Sequence, residues 1–428
     1  STAATAATTT TALTDLQPAG RPAPVPLPAY GETNDEQRVE AVKNMMRHAW
    51  GQYRARAWGF DELAPVNGNG KDWFGQGLTI VDALSTLWLM GFKDDFARGR
   101  EWVANNLKFD TQRSASFFET NIRTLGGLLS AHALSGDKMF LTKAKELADI
   151  MAVFRDRATG FPAGSFIASA DAAATASSRG GANGGNVLAE IGTVQMEWTY
   201  LAYATRNSTY GKIMMNIYKL LDEIPRADGW PAHGLLPNNV NTASINAGTI
   251  SFGAAGDSYY EYLLKMYLMT GKKYSRLQRM YKEAVDGARH HMVATQPKSN
   301  LTYVSDVYAS GRGAYRNGNF GHLTCFCAGM FALGAARVDG CSADLALGEA
   351  VGETCAQMYE RSPLGIAPEG VTFGEPPAGV DPHREPTWRV STPYYILRPE
   401  VVESFFILWR VTKDERWRQH AWHVVRSI

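Results

Sequence analysis

Net charge is the first thing missing. The 428-residue chain carries 43 Lys+Arg against 42 Asp+Glu, a balance of +1. That excludes a nucleic-acid binder working through bulk positive charge, and equally an acidic tail protein. Cysteine is scarce: 4 residues are too few for a disulfide scaffold or a zinc-cluster array. No apolar run reaches the roughly 18 residues that a membrane span needs. The chain opens at Ser1 without a Met or an apolar leader, so any targeting segment is expected to have been removed or never included. Several signature motifs are absent as well. There is no HExxH, paired CxxC, P-loop, GxGxxG after a strand or GxSxG, which leaves zinc-peptidase, nucleotide and serine-hydrolase readings unsupported. What is present is apolar and aromatic. With 45% hydrophobic residues and 11 Trp, the chain can build a large core and aromatic-lined clefts.

Residues 1–33 differ from the rest. Their Thr/Ala-rich and then Pro-rich sequence has no helical or strand period and reads as a flexible or O-glycosylated stem. Two N-x-[ST] triplets, at Asn207 and Asn300, are candidate glycosylation sites and agree with a secretory-pathway lumen. The stem suggests a removed N-terminal anchor.

From residue 34 to 428 the pattern is helical and recurs. The first helix opens on an Asn cap and places Val39, Val42, Met45, Met46 and Trp50 on one face. Six later stretches share another plan: an apolar helix, a turn with Gly, Asn or Asp, then an amphipathic helix. The first helix of each copy is apolar nearly all round, so it is expected inside; its amphipathic partner is expected outside. Such pairs bury their inner helices by closing into a ring. Long Gly/Pro/Asn-rich stretches at about 156–185, 225–255, 295–320 and 361–396 are expected to build one face of it. The count ends on an unpaired outer helix, so the chain is expected to lack a C-terminal piece and leave an open seam.

Inner helices begin with Asp82, Glu119, Glu190, Asp257, His322 and Glu400. Charged residues are seldom buried without a partner or a job. Any one of them alone fits a first-turn acid favoured by the helix dipole. Six at comparable places, with aromatics close by in Phe117-Phe118-Glu119 and Asp257-Ser-Tyr-Tyr-Glu261, predict a ring of acids around a pocket. Two chemistries suit such a ring: glycoside hydrolysis, which needs one protonated and one ionised carboxyl, and calcium binding, which needs hard oxygens.

The segments NMMRHAWGQYRARAWGFDEL, TIVDALSTLWLMG, SFFETNIRTLGGLLSAHALSG, LAEIGTVQMEW, GDSYYEYLLK, GHLTCFCAG, GIAPE and YYILRPEVVESFFILWRVTKD occur in this order. Together they resemble the successive motifs of class I α-1,2-mannosidases, glycoside hydrolase family 47, from about residue 35 to the end. The resemblance implies an (α/α)7 barrel that removes terminal α-1,2-linked mannose from high-mannose N-glycans on glycoproteins with inversion, acting as a monomer in the Golgi or endoplasmic reticulum lumen. It implies Glu119 as the favoured general acid, with Asp257 as a competing acid candidate, and Glu400 as general base. Arg123, Glu190, His322, Glu369, Arg398 and Glu403 match sugar-contacting positions. Asp82, Glu261 and Glu403 match positions that hold calcium-bound waters. Cys325 and Cys355 match a disulfide; Cys327 and Cys341 are left as either a second bridge or buried thiols. Ala255 stands where members that remove a single mannose carry Arg, which resembles the broader Golgi-type enzymes. The family's last inner helix and terminal hairpin, with the Thr that ligates calcium directly, have no counterpart in this chain. A degradation-enhancing mannosidase-like glycan reader is the alternative function.

Overall fold

Apolar residues fall differently on alternate helices, and that contrast builds the ring. Helix α1 is Asp35–Arg56, followed by α2 (Leu78–Met90) and α3 (Lys93–Asn106). α2 buries Leu78, Ile80, Val81, Leu84 and Leu87, whereas α3 buries only Phe96, Gly99 and Val103 and gives its charged face to water. The next inner helix starts as Phe117–Glu119, widens into a π segment over Thr120–Leu125 and continues as α4 (Gly126–Ser135). Its outer partner α5 (Lys138–Met151) buries Phe140, Ala144, Leu147, Ala148 and Met151, an i, i+4, i+7 stripe. Further along come the short α6 (Leu188–Gly192), α7 (Gln195–Thr205), α8 (Ser208–Glu223), α9 (Asp257–Met269) and α10 (Ser275–His291). A 3-10 turn His322–Cys325 leads into α11 (Phe326–Arg337), then α12 (Asp344–Glu360), α13 (Glu400–Thr412) and α14 (Arg416–Ser427).

This computed structural model describes residues 26–156, 160–169, 186–374, 381 and 386–428. Among them, the inner helices pack in the order α2, α4, α7, α9, α11, α13, each also against its own outer partner. Caps set the boundaries. Asn34 accepts from the Gln37 amide at the start of α1, Asp137 from Met139 at α5 and Asn207 from Thr209 at α8. Left-handed Gly91 and Gly136 end α2 and α4.

The stretches expected on one face do form it. Antiparallel strands pair Ser114–Ser116 with Ser165–Ile167, and Asn186–Val187 with Asn239–Val240. Val307–Ser310 lies between Ala247–Ile250 and Gly313–Arg316; Gly370–Phe373 lies between Asn319–Gly321 and Trp388–Thr392. Three strands run straight into inner helices, at Ser116/Phe117, Val187/Leu188 and Gly321/His322, so this face fixes where those helices begin.

Two expectations need adjusting. The stripe on α1 buries Trp50 but leaves Val39 54% exposed, because the helix packs chiefly through its second half, where Trp50 and Tyr53 meet Trp58. And the stem does not run free to residue 33. Arg426 and Trp422 of α14 donate to the Leu27 and Pro28 carbonyls at 2.7 and 3.0 Å, and the Tyr30 hydroxyl donates to Glu415 at 2.6 Å. The stem before residue 26 lies outside the described residues, as do the connector residues 157–159, 170–185, 375–380 and 382–385.

Cys325 and Cys355 form a disulfide that ties the 3-10 turn to α12. Cys327 and Cys341 are buried free thiols. Asn207 and Asn300 are exposed. Among the described residues no helix is long and apolar enough to cross a membrane.

Candidate active site

The acidic residues that open the inner helices gather in two groups. In the first, Arg123 sits one turn beyond Glu119, and its Nε donates to Glu119 Oε2 at 2.8 Å while Nη1 lies 3.5 Å from Asp82 Oδ2. The spacing i, i+4 puts Arg123 over Glu119 on the same helical face. Asp82, one turn into α2, keeps 39% of its side chain exposed. Burial pushes its carboxyl up to about 6 despite the Arg123 guanidinium, with ionised Glu119 adding to the rise. Glu190 in α6 is also raised, first by burial and then by Glu119.

The second group spans α9 and α13. Asp257 is the first residue of α9, and its Oδ1 accepts from the Ser258 amide at 2.8 Å. Burial pushes its carboxyl up to about 6, and the charges of Glu261 and Glu400 add to the effect. Glu400 opens α13 directly after Pro399. It too is raised, mainly by burial, with Glu403 and Glu261 adding and Arg398 opposing. Its Oε2 is buried without a hydrogen-bond partner. The loop ahead of Asp257 is held closely: Ala255 is left-handed at φ 73°, its carbonyl accepts from the Ala189 amide at 2.9 Å, and a Cβ on Gly256 would meet the Ser251 carbonyl at 2.2 Å. α6 and α9 are therefore registered on one another at Glu190 and Asp257.

A third set stands behind Glu400. Arg398 Nε donates to both oxygens of Glu369, at 2.8 and 2.6 Å. The Glu369 backbone is itself fixed, since its carbonyl accepts from the His322 amide and its amide donates to Tyr394. His322 is only 1% exposed, with Nε2 at 2.8 Å from the Tyr359 hydroxyl, which in turn lies 3.3 Å from that of Tyr395. Burial lowers the His322 imidazole to about 4, so it is neutral at ordinary pH. Sequence reasoning placed His322 among the sugar contacts; in the fold its side chain is buried with Nε2 on the Tyr359 hydroxyl.

Some site residues lie deeper than the sequence pattern suggested. Lys265 reaches Glu261 at 2.6 Å and Glu403 at 3.1 Å. Glu197 of α7 accepts from Asn121 at 3.0 Å and Tyr262 at 2.8 Å, and burial raises its carboxyl. Asn121 lies in the π segment. Lys265 sits two turns inside α9 and Glu197 in the first turn of α7, where a polar residue reads as ordinary amphipathic spacing; for these two the signal available was a charge in a largely apolar inner helix. Asp222, His233 and Glu283 bring ligand atoms within 4.8 Å of one another on the outer layer. Arg276 and Arg279 already pair with Asp222, and Arg279 with Glu283, so this cluster is neutralised by protein cations.

Residues 45–428 match the profile of glycosyl hydrolase family 47. The chain belongs to that family. It is 38% identical over 432 residues to human mannosyl-oligosaccharide 1,2-alpha-mannosidase IB, covering 95% of this chain and 63% of that protein. It is 37% identical to the pig mannosyl-oligosaccharide 1,2-alpha-mannosidase IA, covering 90% and 57% respectively. The family 47 chain thus spans less than two thirds of the length of these curated relatives. Among solved structures, an alpha-1,2-mannosidase from Trichoderma reesei superposes with a TM-score of 0.82 at 29% identity, covering 92% of this chain and 84% of that one. The architecture is accordingly the (α/α)7 barrel. A sugar epimerase from a ruminal bacterium shares the fold alone, at 13% identity, a TM-score of 0.54, and 78% and 87% coverage. The fold expected from the helical periodicity and the family expected from the motifs are both borne out.

Proposed function

We propose that this family 47 chain hydrolyses terminal α-1,2-linked mannose on high-mannose N-glycans of glycoproteins, with inversion at the anomeric carbon, in the Golgi or endoplasmic reticulum lumen. The observation that carries the reading is the pair Asp257 and Glu400, two half-buried carboxyls at the starts of α9 and α13, both raised by desolvation, with the charge of Glu400 acting on Asp257. Inverting hydrolysis needs such a pair, one member protonated and one ionised. The names of the relatives supply the substrate class.

In the mechanism we favour, protonated Asp257 gives its proton to the glycosidic oxygen as the bond from C1 to that oxygen breaks. Glu400, ionised, takes a proton from the water that attacks C1 from the opposite face. Mannose leaves with inverted configuration, Asp257 ends ionised and Glu400 protonated, and solvent resets both. Asp257 is preferred to Glu119 as acid because burial, with the charges of Glu261 and Glu400 adding, raises its carboxyl to about 6, whereas the Glu119 carboxylate is engaged by the Arg123 guanidinium at 2.8 Å. Glu119, Glu190, Arg123, Glu369, Arg398 and Glu403 would then orient sugar hydroxyls, with His322 supporting Glu369 from behind.

Calcium belongs to the proposal with a restriction. Asp82 and Glu119 engage Arg123, and Glu261 and Glu403 engage Lys265. These oxygens suit water-mediated contact. Among the described residues no three luminal acids bring ligand atoms within 4.8 Å of one another, so they do not fit the ion as direct ligands.

The test is incubation with a nine-mannose glycan, with and without EDTA, following the anomer released by proton NMR. EDTA-sensitive release of β-mannose supports the proposal including calcium; EDTA-insensitive release supports it without calcium. Binding without release would favour the glycan reader instead, and neither binding nor release overturns both.

A further inference from the structure

We infer that Lys265 is a positioning residue of this site, an ammonium that clamps Glu261 of α9 to Glu403 of α13 one turn beyond Glu400. The inference rests on the reading of Glu400 as the base.

Lys265 lies eight residues into α9, two turns along the same face as Asp257 and one turn beyond Glu261. A lysine in mid-course of an inner helix is out of character for a barrel whose inner helices are apolar nearly all round. Only 30% of its side chain is exposed, and the crevice it occupies is walled by Leu264, Phe326, Met330, Leu333 and Ile407. Its Nζ makes two ion pairs, 2.6 Å to Glu261 within its own helix and 3.1 Å to Glu403 on the neighbouring inner helix. A solvated lysine–glutamate pair contributes little. A pair that crosses two packed elements inside an apolar crevice fixes both carboxylates, and losing the cation leaves two acids facing each other.

The consequence falls on Glu400. The groups that face it are Arg398 just ahead of it and Glu403 on α13, Glu261 and Asp257 from α9, and Tyr359 from α12. Arg398 has both its Nε contacts on Glu369. That leaves Lys265 to balance Glu261 and Glu403, the two acids that oppose ionisation of Glu400. Without Lys265, Glu400 would feel one more uncompensated negative charge and hold its proton to higher pH. As a base it must be ionised, so the acid limb of the pH profile would move upward.

The experiment compares the full chain with K265M and K265R, each checked by its thermal melt. For K265M the acid limb of kcat/KM is expected to rise by about one pH unit, making kcat/KM about tenfold lower on the acid side. KM should stay within about threefold, and K265R should restore the limb. A second readout needs no turnover: with 13C-labelled glutamate, the Glu400 carboxyl, assigned by its loss in E400Q, should titrate higher in K265M. An inactive wild type would overturn the hydrolase reading, while the titration still decides the clamp. If K265M does not fold, K265Q replaces it. A folded variant with an unmoved acid limb and an unmoved Glu400 titration overturns the inference, whatever its melting temperature.

Discussion

Replacing Asp257 by Asn isolates the acid in the proposed mechanism. An ordinary Asp at 3.8 is protonated about once in 160 molecules at pH 6, whereas one pushed up to about 6 is protonated about every second molecule. Burial therefore multiplies the competent acid by about 80-fold at that pH. Asn keeps the shape and the acceptor for the Ser258 amide, so the start of α9 should survive. It cannot donate an acidic proton. The expected loss in kcat is about 10²–10⁴-fold, the usual worth of a positioned general acid. Wild type should show a bell-shaped profile from pH 4 to 8 with its alkaline limb near 6; D257N should lose that limb, and E400Q the acid limb instead. Stability gives a second sign. Asp257 has a folded value above its unfolded one, so the folded state loses stability as pH climbs from about 4 to about 6. Asn removes that cost, at most about 3 kcal/mol and less with lumen water nearby, and should raise Tm at pH 7 by about 2 °C. A D257N protein with kcat within about threefold of wild type, or with its alkaline limb intact, would refute the assignment and shift the acid to Glu119, for which E119Q is the comparison.

Three further outcomes follow from parts of the barrel away from the chemistry. Burial alone would lower His420, but Glu353 and Glu360 of α12 hold it up to about 9, so its stabilisation is full below about 6.5 and disappears as pH rises through 9. H420Q should therefore melt about 2 °C lower at pH 6 and match wild type near pH 10. Alkylation in denaturant should label two thiols without reductant and four with it, since Cys325–Cys355 is bridged and Cys327 and Cys341 are free. Opening that bridge, which closes a 30-residue span, should cost about 3–4 kcal/mol and lower Tm by about 4 °C. No labelling without reductant would mean a second bridge.

Much of this was legible because it depends on local spacing. Apolar residues all round α2 and only along a stripe of α5 separate inner from outer helices before any contact is known. Acids repeat at helix starts, and three of the inner helices follow directly on strands of one face. What escaped was pairwise. Nothing in the spacing of Lys265 tells that its partner beyond Glu261 is Glu403, 138 residues away. Nor does the GHLTC motif tell that His322 turns back to Tyr359. The free α1 surface at Val39 and the docking of Leu27 to Tyr30 on α14 escaped for the same reason: they depend on which elements become neighbours when the ring is laid out.

By itself, then, the sequence determined the helical ring, the family through its ordered motifs and the candidate acids, all of which follow from periodicity and residue type along a few turns. Only the tertiary structure decided which cation each of those acids meets and how deeply each is buried. That pairing depends on which elements become neighbours: Arg123 stands on Glu119, Lys265 on Glu261 and Glu403, and among the described residues no cation is bonded to Asp257, whose carboxyl burial raises. The near-neutral balance of the chain conceals this, because electrostatic energy follows local distance and dielectric and not the sum of charges.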